Sequence, residues 1–185
     1  MPTQTTSPQR GAALITGLIF LVVLTLISLS AIKSTSLEER MAGNARDQDV
    51  AFQAAEAGVR DALNYISSTG LLPTSGFVAG CSAGLCLNDP AAPVWETITA
   101  NNDWTSSKTK AYSGTALTFD GTTTLPVQPR YIIELLPATL PPSGFSIASG
   151  KGANPGGQVT PYRITARGWG TTEQTQVTVQ AAINY

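Results

Sequence analysis

The sequence contains no histidine, which removes one class of function. Without imidazole the chain has no histidine general base, no serine-histidine catalytic pair and no histidine metal ligand. Only 12% of its 185 residues are charged, and the formal net charge is −1. The Lys and Arg residues do not cluster, so nothing argues for nucleic-acid binding, although DNA binding is not thereby ruled out. The composition therefore excludes histidine-based catalysis and histidine metal sites, and an enzyme that works without histidine stays among the alternatives.

Cysteine is scarce as well. The two cysteines, Cys81 and Cys86, stand in Cys-Ser-Ala-Gly-Leu-Cys, and a zinc site would need two further ligands that the sequence lacks. The pair follows the apolar segment described next, on the side expected to face an oxidising compartment. We therefore predict a disulfide that closes a small loop.

An apolar run without any charge extends from Ala12 to Ile32. At about 1.5 Å rise per residue it reaches roughly 30 Å, the thickness of the hydrocarbon core of a bilayer, so it predicts a transmembrane helix over 12–32. The helical pattern continues from Ser36 to Ser67, which predicts one helix over 12–67, on the order of 80 Å long if it is continuous. Gly43-Asn44 is its weakest point, because glycine costs about 1 kcal/mol relative to alanine.

Apolar residues recur at helical spacing beyond the membrane segment and predict a stripe that packs on a sheet. Glu39, Arg46, Asp47 and Asp61 are expected on the opposite, solvated face. The residues that we expect to form the contact between helix and sheet are Leu37, Met41, Phe52, Val59, Leu63, Ile66, Tyr162, Ile164, Val177 and Val179.

After Ser67-Ser68-Thr69-Gly70 the composition shifts to Gly, Pro, Ser and Thr, which marks the start of a β-rich head over 68–185. The chain is long enough for this one domain beside the helix, and too short for two. Residues 71–102 are predicted to be mostly irregular, with Trp95 and Trp104 as packing anchors.

Strands are predicted over Tyr112–Phe119 and Arg130–Leu136, and the clearest pattern is a hairpin near the end of the chain. Its apolar residues alternate with polar ones, and Gly168–Thr172 is expected to form the turn. Arg163 and Arg167 are expected to be solvated charges on the polar face. Pro141-Pro142 and Gly150–Gly157 are expected to form a surface loop, either a partner site or a connection.

The order of parts at the N-terminus is informative. A short polar leader, Met1 to Gly11, ends in Arg10-Gly11 directly before the apolar run, whereas a secretory signal is cut after its apolar region. This order resembles the prepilin leader of type IV pilins, which is cut on the cytoplasmic side after the glycine by a prepilin peptidase. The resemblance implies that Ala12 becomes the first, usually N-methylated, residue. A plain membrane anchor, or a secretory signal cut near Ser30-Ala31, remains the alternative.

Three further stretches make the resemblance specific to PilX-type minor pilins of Gram-negative type IV pili. They are Gln9-Arg10-Gly11-Ala12-Ala13-Leu14-Ile15, Leu37-Glu38-Glu39-Arg40-Met41-Ala42-Gly43-Asn44 and Ala51-Phe52-Gln53-Ala54-Ala55-Glu56-Ala57-Gly58. Cys-x-x-Gly-Leu-Cys at 81–86 and Tyr162-Arg163-Ile164-Thr165-Ala166-Arg167-Gly168 also resemble segments of that family. The resemblance implies a type IV pilin-like α+β fold, in which a long N-terminal helix packs against a C-terminal antiparallel sheet.

The same resemblance implies a non-enzymatic minor pilin, with no cofactor and no metal, that initiates pilus assembly and supports twitching motility and surface adhesion. Its partners would be other minor pilins, the major pilin and the inner membrane before assembly, with a host or abiotic surface as a further candidate. The head would lie in the periplasm and later at the pilus tip. The alternative functions are a type II secretion pseudopilin, a membrane-tethered exported binding module and an enzyme that lacks histidine.

One position departs from the pattern of the major pilins. They have a glutamate at the fifth mature residue, whereas counting from Ala12 places Thr16 there. A carboxylate inside a bilayer is costly and marks function. In related filaments the subunit without this glutamate is the one at the tip, so the resemblance implies a tip-proximal place. The alternative is that Thr16 is simply tolerated in a rarely incorporated subunit.

Overall fold

The computed structural model of the protein describes residues 11–69, 76–137 and 161–184. The leader up to Arg10, and the loop predicted at Pro141-Pro142 and Gly150–Gly157, lie outside these ranges. The first element is a single helix, α1, over Ala12–Ser68. It continues through Gly43-Asn44, so the weakest position of the predicted helix does not interrupt it.

Contacts between residues divide the chain into two units, with the boundary between Ala45 and Arg46 inside α1. After Gly11, the described part of the first unit is helix alone, and its side chains are exposed. By length and composition α1 is able to cross a membrane. The second unit contains the rest of α1 and the whole sheet.

Five strands form one sheet in the second unit. In chain order they are β1 (Leu85–Leu87), β2 (Lys110–Ala111), β3 (Arg130–Leu135), β4 (Pro161–Trp169) and β5 (Gln176–Asn184), with the short helix α2 (Val94–Ala100) between β1 and β2. The spatial order is β1-β3-β4-β5, and β2 also pairs with β3. The pairs β2–β3, β3–β4 and β4–β5 are antiparallel, whereas β1 runs parallel to β3. The sheet is therefore mostly antiparallel, as predicted, with one parallel pair that was not.

The sheet is covered on both faces. One face packs on α1, through a core that includes Tyr131, Ile133, Tyr162 and Ile164. The other face is covered by α2 and by a 3₁₀ turn at Asp103–Thr105, through a second core whose members are Val94, Ile98, Trp104, Ile132, Trp169 and the cysteine pair. The central strand β4 is thus buried almost throughout, and the prediction of one apolar and one polar face was wrong for it.

The strand predicted over Tyr112–Phe119 is also wrong, because regular pairing stops at Ala111. Beyond that residue the main chain is held by scattered hydrogen bonds, to backbone groups of neighbouring loop residues and to side chains, instead of a strand ladder. The backbone N–H of Leu117 donates to Gln128 Oε1 at 2.8 Å, and Gln128 Nε2 donates to the carbonyl of Leu117 at 3.3 Å. The segment is therefore a loop to which the Gln128 amide contributes two hydrogen bonds, and alternation of residue types does not reveal such a loop.

The predicted turn at Gly168–Thr172 began too early. Strand β4 continues through Trp169, and the turn is closed by a hydrogen bond from the N–H of Gly170 to the carbonyl of Thr175 at 2.9 Å. Trp169 remains in the strand because it is buried in the core on the α2 face.

Candidate functional site

The N-terminal end of α1 carries the residues predicted for processing and assembly. Gly11 lies in a turn and is followed by Ala12, the first helical residue. The hydroxyl of Thr16 lies 3.0 Å from the carbonyl oxygens of both Ala12 and Ala13, to either of which it can donate. Its polar group is satisfied within its own helix, as is usual for Thr in apolar helices. The position therefore offers no charge to a neighbouring chain.

The apolar run presents a continuous hydrophobic surface. Leu14 is 74% exposed, and even Val22, less exposed than the residues around it, is 45% exposed. Soluble monomers seldom expose apolar patches beyond a few hundred Å². This part of α1 is thus built to be covered by lipid or by other helices.

From Arg46 onwards α1 is fastened to the sheet by close backbone contact. The buried residues of the helix are nearly all small: Ala51, Ala54, Ala55, Gly58, Ala62 and Ile66. A methyl group added at Gly168 of β4 would overlap the carbonyl oxygen of Ala51 and the nitrogen of Ala55. Strand and helix therefore touch main chain to main chain here, which only glycine permits.

A polar contact fixes the same end of the interface. The carboxylate of Asp47 accepts hydrogen bonds from the backbone N–H of Thr171, from the Thr171 hydroxyl at 2.6 Å and from the Thr172 hydroxyl at 3.1 Å. Desolvation raises the pKa of Asp47, but the bonds from Thr171, Thr172 and Thr175 outweigh it and bring the pKa to about 2. Asp47 is therefore charged at neutral pH and anchors the β4–β5 turn to α1.

A second carboxylate of α1, that of Asp61, binds the head further along the helix. Asp61 accepts hydrogen bonds from the backbone N–H of Ser113 at 2.9 Å and from its hydroxyl at 2.7 Å. Beneath it the hydroxyl of Tyr131 is fully buried, so desolvation, together with the negative charge of Asp61, holds the pKa of Tyr131 well above its usual value. The two aspartates, expected on a solvated face, instead bind the head.

The face of the sheet opposite α1 contains a buried ion pair. Arg163 donates from Nε to Glu134 Oε2 at 2.8 Å and from its terminal nitrogen to Oε1 at 2.7 Å, a bidentate geometry. The Glu134 side chain has no exposed surface, and that of Arg163 is 26% exposed. The bonds to Glu134 raise the pKa of Arg163. The expectation of a solvated Arg163 was wrong because its partner was not recognised.

Arg167 lies on the same face, four residues further along β4, and is buried. Its guanidinium lies 4.8 Å from the centre of the Trp104 ring and donates to Gln176 Oε1 and Thr99 Oγ1, each at 3.1 Å. Burial lowers the pKa of Arg167. It joins α2, β4 and β5, so the prediction of a solvated charge was wrong here also.

The predicted disulfide is present between Cys81 and Cys86. It closes a loop with left-handed backbone at Cys81 (φ 70°), Ala83 (φ 48°) and Gly84 (φ 84°). At Gly84 a Cβ would approach Lys110 Cβ to 2.6 Å, so the loop lies directly against β2. Within the described residues no group of three or more Cys, Asp or Glu side chains is placed to hold a metal ion.

Two family models match the chain. Residues 10–60 match the model described as PilX N-terminal, and residues 82–184 match the type IV pilus assembly protein PilX C-terminal model. The second match alone spans 103 residues (184 − 82 + 1), more than half of the 185. The chain belongs to the PilX family of type IV pilus assembly proteins. Searches of curated proteins and of solved structures found no match.

Membership of the PilX family confirms the resemblance inferred from the sequence. The stretches 37–44 and 51–58, and all but the first residue of 9–15, lie within the N-terminal match, and the hairpin lies within the C-terminal one. The apolar start of α1 is consistent with membrane anchoring in a PilX protein.

The packing residues predicted for this PilX protein are only partly those that the fold uses. Ile66, Tyr162 and Ile164 are buried in the core, and Val59 and Leu63 pack against it. Val177 and Val179 on β5 are half-buried. Leu37, Met41 and Phe52 are exposed, by 61%, 63% and 42%, so the stripe was wrong at these positions. The buried stripe of α1 consists instead of small residues such as Ala51, Ala54 and Gly58, because the backbone contact at Gly168 leaves no room for large side chains.

Sequence reasoning missed Asp47, Glu134 and Gly168 as structural determinants of the PilX head. Glu134 is a lone acid in the apolar strand Arg-Tyr-Ile-Ile-Glu-Leu, which is itself a signal that a basic partner is needed. Gly168 interrupts an apolar strand, which often marks a close backbone approach. Asp47 offers no such signal, because its partner lies 124 residues away.

Proposed function

We propose that this PilX protein is a minor pilin of the type IV pilus that joins other minor pilins in a priming complex in the inner membrane. It starts pilus assembly, ends at or near the tip, and so supports twitching motility and surface adhesion without any enzymatic activity. The observation that carries the proposal is Thr16, whose hydroxyl is satisfied by Ala12 or Ala13 of its own helix.

The argument is electrostatic. A bulk pilin keeps its place in the filament through a carboxylate that meets a neighbour's terminal ammonium in a medium of low dielectric, where the pair attracts far more strongly than in water. Thr16 supplies no carboxylate. If cleavage follows Gly11, the free amine of Ala12 is still able to meet a glutamate of another subunit. The interaction is then one-sided, which suits the first subunit of a filament and no later one.

The proposal assigns a place to each segment. Residues 1–11 are the leader, removed by the prepilin peptidase, and Ala12 becomes the methylated N-terminus. Residues 12–32 cross the inner membrane before assembly and pack among other pilin helices afterwards. The head is carried in the periplasm and then on the pilus. The exposed apolar surface of α1 from Leu14 to Ile32 supports this order of events.

Copy number and position test the proposal. Deleting the gene should reduce the number of pili while the remaining pili keep their structure, and labelled protein should be found at one end of the filament. Thr16→Glu should be neutral or disruptive, and Thr16→Ser, which keeps the hydroxyl, should behave as the wild type. Labelled protein spread evenly along the shaft, at copy numbers like those of the major pilin, would contradict the tip assignment.

A further inference from the structure

The disulfide between Cys81 and Cys86 is enclosed by the core on the α2 face of the sheet. Cys86 has no exposed surface, and Cys81 is only 9% exposed. Among the described residues, all those that form this core with the two cysteines come later in the sequence than Cys86. They are Val94 and Ile98 of α2, Trp104 of the 3₁₀ turn, and Ile132 and Trp169 of the sheet.

Backbone hydrogen bonds hold the loop between the cysteines against its surroundings on two sides. The N–H of Gly84 donates to the carbonyl of Lys108 at 3.0 Å. The carbonyl of Gly84 accepts a hydrogen bond from the N–H of Ile133 in β3 at 2.7 Å. An external molecule therefore reaches the sulfur of Cys86 only after the segment 94–108 has moved away from the sheet.

The loop does not need the bond between its cysteines to keep its shape. Ser82 and Leu85 exchange two backbone hydrogen bonds, of 3.1 and 2.9 Å, across the turn between the cysteines. A closed loop this short contributes little chain entropy, and a free cysteine packs in a core like a small hydrophobic residue. We therefore expect the reduced head to fold with both thiols buried.

Oxidation of the two cysteines requires access to their sulfur atoms. One cysteine thiolate attacks a sulfur of an external disulfide, and the second cysteine then attacks the mixed disulfide that results. The two cysteines lose two protons and two electrons, and the disulfide of the oxidant is reduced to two thiols. These attacks proceed in an open chain and are blocked in the folded head, because Cys86 is fully buried there.

We infer that Cys81 and Cys86 are oxidised before this core forms, by a disulfide-bearing oxidant that acts on the unfolded chain during export. The order of the sequence supports this, because Trp169 follows Cys86 by 83 residues (169 − 86). At the roughly 5–20 residues per second of protein synthesis, a chain exported as it is made leaves the core incomplete for about 4–17 s after Cys86 emerges. A chain that folds first keeps its thiols reduced. The inference rests on the proposed function only in that the head is exported.

Purified full-length protein tests the order of folding and oxidation. The chain is reduced and unfolded in urea, and one half is refolded in detergent with the reductant present. After the reductant is removed, both halves receive the same concentration of oxidised glutathione, and free thiols are counted over time by alkylation and mass. The refolded half should oxidise at least about a hundredfold more slowly, because the reagent must wait for the core to open. The peptide Cys-Ser-Ala-Gly-Leu-Cys, oxidised in both solutions, corrects for the effect of urea on the exchange itself.

A pair of variants on α2 tests whether this helix is the cover. Ile98→Ala removes a buried side chain above the cysteines, and Thr97→Ala, at an exposed neighbouring position, is the matched control. In the refolded, reduced protein Ile98→Ala should raise the rate of oxidation at least about tenfold, because a cavity lowers the cost of opening the core. Thr97→Ala should leave the rate unchanged. If Ile98→Ala does not fold, the rate for the wild type should rise steadily with urea below the unfolding transition.

Equal corrected rates for the refolded and the unfolded halves would overturn the inference, and so would equal rates for the two folded variants. In cells, chains are labelled during export in the presence of a reductant, which is then withdrawn. Chains exported before the withdrawal should stay reduced long after chains exported later have become oxidised. Oxidation of both populations at the same rate would overturn the inference and leave the proposed function standing. Permanently reduced thiols in untreated cells would reject the export of the head, on which both rest.

Discussion

The carboxylate of Asp47 on α1 accepts hydrogen bonds from both the backbone N–H and the hydroxyl of Thr171, 124 residues later in the chain. This pair ties the helix to the β4–β5 turn at the point where the head begins. At the residue directly before Thr171, a Cβ on Gly170 would overlap the same carboxylate, so the turn approaches as closely as its glycine permits. The attachment of the head therefore depends on the charge of Asp47.

The first prediction concerns pH. The folded pKa of Asp47 is lowered to about 2 from its usual 3.8, so its contribution to stability is complete above the unfolded pKa and is lost as the pH falls from about 4 to about 2. Asp47→Asn should flatten the fall of the free energy of unfolding across this window. Urea unfolding of the full chain in detergent, followed by tryptophan fluorescence, measures it.

Some slope should survive in the Asp47→Asn variant, because hydrogen bonds from Thr123 and Thr122 also hold the pKa of Asp120 below its usual value. Asp49→Asn removes a charge from the same helix without touching the head, since Asp49 bonds to Gln53. An acid profile in which Asp47→Asn and the wild type coincide would contradict the role of Asp47.

The second prediction concerns the contact of backbones at Gly168. Gly168→Ala should destabilise the head by about 3 kcal/mol, because the methyl group would overlap Ala51 and Ala55 and the helix would have to move away. Gly43→Ala is the matched control, since nothing lies within 4 Å of a Cβ there. The control should gain up to about 1 kcal/mol of helix stability. Equal unfolding free energies for the two variants would show that the approach of β4 to α1 is looser than described.

The third prediction concerns the buried ion pair, in which Glu134 is fully buried and Arg163 is partly exposed. Arg163→Met should cost about 3–5 kcal/mol, because it leaves the carboxylate of Glu134 buried without a partner. Glu134→Gln should cost less, since the Arg163 side chain is partly exposed and reaches water. The double variant Arg163→Met with Glu134→Leu should recover most of the loss. A double variant less stable than Arg163→Met would contradict this explanation.

The fourth prediction concerns the disulfide. Replacing both Cys81 and Cys86 by Ala should cost less than the roughly 3 kcal/mol expected for a fifteen-residue loop, because the closed loop is much shorter. The head should remain folded, and hydrogen exchange should rise mainly near the loop and at its contact with Lys110. In the unmodified protein the thiols should resist alkylation until they are reduced. Global unfolding of the double variant would show that the loop stabilises the entire head.

The sequence was most informative where apolar residues recur at a regular spacing. The continuous helix and the strands of the final hairpin follow from such periods, whereas the strand at Arg130–Leu135 was predicted as an apolar run between two prolines. The burial of Arg163 and Arg167 could not be predicted, because it depends on α2 and Glu134, which come to the same face only in the fold. The packing stripe was predicted on the wrong helix residues for a similar reason. The backbone of Gly168 comes so close to α1 that only small helix residues fit between helix and sheet, and this approach is visible only in the fold.

Cleavage between Gly11 and Ala12 is the claim on which the assignment of this PilX protein as a pilin depends most directly. The decisive measurement is the mass of the N-terminal peptide of the protein purified from its native membrane, with Gly11→Val as the matched variant. We predict a mature chain that begins at Ala12 with a methylated amine, and a larger, uncleaved Gly11→Val protein. An intact Met1 terminus, a start near Ala31, or normal maturation of Gly11→Val would contradict the account.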